Sequence, residues 1–186
     1  SDVSDLSGTL FFDVKKRDYS DKMLEILHIR RKQLPKICDS SEVIGTVCEK
    51  FSRLTGLSPN CKVVIGGGDQ AVGATGTNTL QAGDISISLG TSGVVFAPSK
   101  EYCFDPSGRI HSFRHTTGNF HLMGCTLSAM GSLKWFLEDV LETKDYNKEI
   151  EAIGEDISDV LFLPYLVGER SPINDPHAKG SFENLS

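Results

Sequence analysis

Apolar positions in this chain fall into short β-branched runs and helical stripes, separated by glycine, proline and small polar residues. That alternation predicts an α/β chain with mixed sheets. Residues 8–14, apolar and rich in β-favouring types, predict a short strand or extended segment ending at Lys15, Lys16 and Arg17. Ser20 and Asp21 open a helix with Met23, Leu24 and Leu27 on one face, and Pro35 marks the break after it. A second helix is expected from about residue 46 to 54, closed by Gly56. Residues 62–65 form a β-branched run that feeds into Gly66, Gly67, Gly68, Asp69 and Gln70, then a small-residue stretch to Gly76. This predicts strand, tight turn and helix start.

The second half repeats the logic. Ile85, Ile87 and Leu89 alternate as a strand, Gly90-Thr91-Ser92-Gly93 forms a turn, and Val94, Val95 and Phe96 return as the other arm of a hairpin. Residues 119–127 are a strand candidate. Residues 129–141 carry Leu133, Phe136, Leu137, Val140 and Leu141 at helical spacing, with Trp135 expected near a layer boundary. A last short strand over 160–163 runs into the polar loop Gly168-Glu169-Arg170-Ser171-Pro172, where Glu169 and Arg170 are expected to pair or to hold the loop.

Composition narrows the function classes. A net charge of −6 across 186 residues argues against a nucleic-acid partner or an anionic membrane surface, since both need a basic face. The one basic cluster, residues 15–17 with 30–32, reads as a solvated face. No apolar run approaches a membrane span. Five widely spaced cysteines without a CxxC pair indicate reduced thiols and a cytoplasmic protein. His111 and His115 stand four apart, but no third ligand accompanies them, so no metal site is expected from them.

Two loops carry chemistry. A turn of Gly90, Thr91, Ser92 and Gly93 presents backbone N–H groups and hydroxyls in a small space, which suits phosphate oxygens and also suits a plain hairpin. Asp69, after three glycines at a strand end, is placed to face a crevice and take a proton from an alcohol, or to cap the helix that follows. Gln70 beside it can hydrogen-bond a sugar hydroxyl. A Rossmann dehydrogenase is a weaker reading, because Gly66-Gly67-Gly68 lacks the GxGxxG spacing and Asp84 stands closer than the expected acidic residue.

The run VIGGGDQAVGATGTNTLQAGDISISLGTSGVVFAP (64–98), with SDLSGTLFFDVKKRDYSDKMLE (4–25) before it and FLPYLVGERSPINDPHAKGSF (162–182) after it, resembles the central part of the FGGY family of carbohydrate kinases. The resemblance implies an actin-like, ribonuclease-H-like ATPase fold, with residues 1–77 closing the sugar-binding N-terminal domain and residues 78–186 opening the nucleotide-binding C-terminal domain. It places Asp69 on the family's catalytic base and Gln70 on a sugar-contacting position. Gly90, Thr91, Ser92 and Gly93 fall on the phosphate loop, and Gly131 at the start of the helix falls in a nucleotide-contacting region. ATP with Mg2+ and a sugar are the implied ligands. The segment 108–113 and the helix with Trp135 point to the branch acting on D-xylulose, with gluconate, glycerol or a non-catalytic nucleotide-binding scaffold as the rivals. Assembly stays open, a homodimer among the options. Asn184 stands where the family usually has glycine, and Asn tolerates left-handed backbone next best. The family's magnesium-associated aspartate and adenine-binding glycines have no counterpart in these residues, so this stretch alone is expected to be inactive.

Overall fold

The computed structural model describes residues 1–154 and 158–185. The chain divides into two compact units, one of Ser1–Ser86, Phe96–Phe104 and Ser112–Leu122, the other of Ile87–Val95, Asp105–His111 and Met123–Ser186.

The first unit opens with helix α1 (Val3–Leu6), capped by Asp2, whose carboxylate accepts from the Ser4 and Asp5 amides. Strands β1 (Phe12–Asp13) and β2 (Asp18–Tyr19) pair antiparallel, so the predicted strand over 8–14 shrinks to two residues at its end. Helix α2 (Asp21–Ile26) starts where expected, with the Ser20 hydroxyl accepting from the Met23 amide at 3.4 Å. Leu24 turns inward onto Val3, Leu6, Phe12 and Tyr19, the main core cluster. Burying such side chains contributes about 1.5–3 kcal/mol each. The basic cluster is solvent-exposed, as read, and also carries ion pairs that were not anticipated: Arg17 meets Asp39, and Arg31 meets Asp18 at 2.7 Å.

Strand β3 (Val43–Thr46), helix α3 (Glu49–Thr55), strand β4 (Lys62–Val64) and helix α4 (Asp69–Gly76) complete this stretch. The helix expected from residue 46 begins instead at Glu49, because residues 43–46 pair antiparallel with β4. Gly56 closes α3 at φ 76°, a backbone that glycine adopts without a Cβ penalty. Ala71 and Ala74 on α4 pack on Phe96.

Strands β5 (Ser86–Leu89), β6 (Gly93–Ser99), β7 (His111–Arg114) and β8 (Phe120–Thr126) form one sheet in the order β5-β6-β8-β7. The three residues joining β5 to its neighbour β6 permit only an antiparallel hairpin. In the second unit, helix α5 (Met130–Trp135) passes into a π turn (Phe136–Val140) marked by the Leu141 N–H to Phe136 carbonyl bond at 2.9 Å, so the stripe over 129–141 is not one regular helix. Helix α6 (Tyr146–Glu151) follows, then β9 (Leu161–Leu163) and β10 (Ser181–Glu183), which pair with Phe162 opposite Phe182. Trp135 stacks on Phe162 with centroids 5.9 Å apart. Asn184 has φ 61°, the left-handed backbone anticipated for it. Among the described residues, no helix is long and apolar enough to cross a membrane.

Candidate functional site

In the first unit, the glycine turn between β4 and α4 is shaped by two different demands. Gly66 has φ 81°, a conformation that L side chains rarely adopt. Gly67 is crowded instead: a Cβ there would lie 2.9 Å from Ser4 Oγ and 3.1 Å from Val72. The turn is fixed from α1, since the Gly68 N–H donates to Ser4 Oγ at 2.9 Å. Ser4 Oγ in turn donates to Asp2 Oδ2 at 2.6 Å, and Ser40 Oγ donates to the same oxygen at 2.7 Å. Asp2, Ser4 and Ser40 are all buried, so this is a water-excluded brace beneath the turn.

Asp69 is the first residue of α4, directly after the braced Gly68, and its side chain is exposed. It does not cap the helix, because Gly68 occupies that position; its Oδ1 accepts from the Gln70 N–H at 2.8 Å. Gln70 is half-buried beside it. Asp69 lines a cavity of about 330 Å³ with Ser1, Asp2, Asp5, Ile65, Gly67 and Gly68, and no Lys, Arg or His side chain is among its lining residues. Such a cavity offers carboxylate acceptors to hydroxyl groups.

In the second unit, the 90–93 turn is built against the start of α5. The Gly90 carbonyl accepts from the Met130 N–H at 2.9 Å, and the Thr91 carbonyl accepts from Ala129 N–H at 2.9 Å and Gly131 N–H at 3.1 Å. A trans peptide sends the following N–H the opposite way, so the Thr91 and Ser92 amides point away from α5. The Thr91 and Ser92 residues are exposed. Glycine is required at two contacts: a Cβ on Gly131 would lie 2.9 Å from the Thr91 oxygen, and one on Gly93 would lie 2.8 Å from Thr126 Cγ2. Gly90, Thr91, Ser92, Gly93 and Gly131, read separately along the sequence, thus converge on one knot of backbone. Its outward amides and hydroxyls can receive an oxyanion.

His111 and His115 do not act together. The His111 ring meets the Arg170 guanidinium at 2.8 Å, and burial, with Arg170 nearby, holds its pKa below the usual range. His115 is wholly buried, with Nε2 3.3 Å from the Thr79 carbonyl. Among the described residues, no group of three or more His, Cys, Asp and Glu is placed to hold a metal ion.

Sequence reasoning missed the brace of Asp2 and Ser4. No local pattern marks it, since the bonds from Ser40 and to Gly68 join residues 38 and 64 positions apart.

The model of the FGGY carbohydrate kinase N-terminal domain matches residues 1–76, and that of the C-terminal domain matches residues 85–186. A xylulose kinase of Escherichia coli is 40% identical over the whole chain, which spans 39% of the length of that relative. The crystal structure of a "xyloylose kinase" from Brucella ovis superposes with TM-score 0.91 at 35% identity, covering 100% of this chain and 39% of its own. That of a gluconate kinase from Lactobacillus acidophilus gives TM-score 0.91 at 25% identity with the same coverage.

Proposed function

Given that the chain belongs to the FGGY family of carbohydrate kinases, with its actin-like ATPase fold, we propose that the whole protein transfers the γ-phosphate of ATP to a hydroxyl of D-xylulose, giving xylulose 5-phosphate. Asp69 is the base. Its carboxylate accepts the proton of the sugar hydroxyl as that oxygen attacks the γ-phosphorus, and ADP leaves. Gln70 steadies the sugar with its amide. The turn of Gly90, Thr91, Ser92 and Gly93, backed by Gly131, holds the phosphates through outward amides and hydroxyls. Residues 1–77 belong to the sugar-binding domain and residues 78–186 to the nucleotide-binding domain, and closure of the two excludes water from the transfer.

Mg2+ bound with the triphosphate would neutralise phosphate charge. The steps derived for this chain do not depend on where it sits.

The observation that carries the choice of a neutral sugar is the cavity at Asp69. Asp5 and Asp69 are the exposed carboxylates of its lining, with no basic side chain beside them, which suits hydroxyl donors better than a carboxylate substrate such as gluconate. The identity to the E. coli xylulose kinase supports the same choice. Rates of ADP formation by the whole protein on D-xylulose, gluconate and glycerol test it. The expected result is a kcat/KM at least about a hundredfold higher on D-xylulose. An equal or higher value on gluconate would overturn the assignment of the sugar.

A further inference from the structure

We propose that Glu169 is a positioning residue for the nucleotide loop: its buried carboxylate holds the connection between β8 and α5, whose peptide groups hold the carbonyls of Gly90 and Thr91. The role rests on the reading of residues 90–93 as the phosphate-binding turn.

Glu169 is only 4% exposed, an unusual place for a carboxylate unless its oxygens are fully engaged. Oε1 accepts from the Leu127 N–H at 3.0 Å and the Arg170 N–H at 2.7 Å, and Oε2 accepts from the Thr126 hydroxyl at 2.6 Å. Two residues after Leu127 come the three amides of Ala129, Met130 and Gly131 that bind the loop carbonyls. Ser128 Oγ and Ser132 Oγ, both buried and 2.7 Å apart, stiffen the stretch between. The path from carboxylate to loop is therefore short: one hydrogen bond at Leu127, two residues of backbone, and the bonds from Ala129, Met130 and Gly131 to the loop carbonyls.

The carboxylate is itself preset. Glu169 and Asp175 exchange backbone bonds at 2.8 and 2.9 Å, and the Ser171 N–H donates to the Cys125 carbonyl at 2.9 Å, which seats the segment on the end of β8. Gly168 admits no side chain, with φ 80° and a Cβ position 2.6 Å from the Pro176 oxygen. Arg170 does not neutralise Glu169 through its guanidinium, which goes to His111. The backbone and the hydroxyl are thus the partners that the carboxylate serves.

The test compares Glu169→Ala and Glu169→Gln in the whole protein, with KM for MgATP and for D-xylulose read separately. Alanine strands two amides and a hydroxyl, so KM for MgATP should rise at least about tenfold while KM for the sugar changes less than about twofold. Glutamine can place its oxygen where Oε1 stands and its amide where Oε2 stands, with the Thr126 hydroxyl turning to accept, and should stay within about threefold of the parent. Unchanged nucleotide KM in a folded Glu169→Ala protein, a parallel rise in both KM values, or a glutamine variant as impaired as alanine would each overturn the role. If the alanine variant does not fold, Glu169→Asp replaces it: the charge stays, the carboxylate withdraws by one methylene, and the same rise in nucleotide KM is expected. Failure of both to fold would assign Glu169 to stability alone and overturn the proposal. Gly131→Ala separates the two readings, because its Cβ presses on Thr91 directly. A rise in nucleotide KM there without one in Glu169→Ala removes only the positioning role, whereas no rise in Gly131→Ala removes the loop reading beneath it.

Discussion

His121 is 2% exposed on β8, its ring stacked on Phe96 at 4.1 Å with His115 edge-on at 5.9 Å. Burial foremost, then the neighbouring His115, lowers its pKa to about 3. In an unfolded chain the ring titrates near ~6.5. Between those values the unfolded state binds a proton that the folded state refuses, so the contribution of His121 is complete above the unfolded pKa and is lost as pH falls toward 3. One such group gives a slope of about 1.4 kcal/mol per pH unit. Urea unfolding between pH 7 and 4 should therefore show stability declining with acid, and His121→Phe, which retains an aromatic ring against Phe96, should flatten the decline. A slope unaltered by that substitution would contradict the assignment. None of this was legible in the sequence, where His115 was read only against His111, four residues before it, and His121 stood as a scattered histidine. Their burial depends on Phe96 and Thr79, tens of residues away, and no local pattern encodes that.

At the scale of elements, punctuation was the most readable feature. Ser20 opened α2, Gly56 closed α3, and the alternation at Ile85, Ile87 and Leu89 with a glycine-bounded turn produced the hairpin of β5 and β6. Strand β3 was missed because Val43–Thr46 is only four residues long and takes its register from β4. The π turn at 136–140 was missed because apolar spacing cannot separate a bond to the fifth residue back from one to the fourth. The glycine turn before α4 was legible as a turn, but the reason for each glycine was not. Gly67→Ala should cost about 1–3 kcal/mol, since the new methyl meets Ser4, Val72 and Thr116 at 2.9–3.2 Å. Activity should fall with it, because Ser4 holds the Gly68 amide beside Asp69. Gly73→Ala, on the exposed side of α4 with nothing within 4 Å, should instead raise stability by about 0.5–1 kcal/mol. Thermal melts of the two variants check the contrast, and equal shifts would contradict it.

For the molecule as a whole, the sequence carried the α/β class, the family and the positions of both glycine turns, because each depends on short local runs. It carried less about what supports those loops. Asp2, Ser4 and Glu169 act through buried hydrogen bonds that join distant segments, and their burial appears only once the chain is folded. Strands β3 and β4 are exposed along their length despite their apolar residues, because an apolar run signals a need for cover without saying what provides it. The central claim concerns one group, the Asp69 carboxylate at the head of α4, as acceptor of the sugar proton. Asp69→Asn in the whole protein, followed by the rate of D-xylulose phosphorylation at saturating ATP, tests it most directly. The account predicts a fall in kcat of about 10² to 10⁴ with the protein still folded. A folded variant that phosphorylates at nearly the parent rate would contradict it.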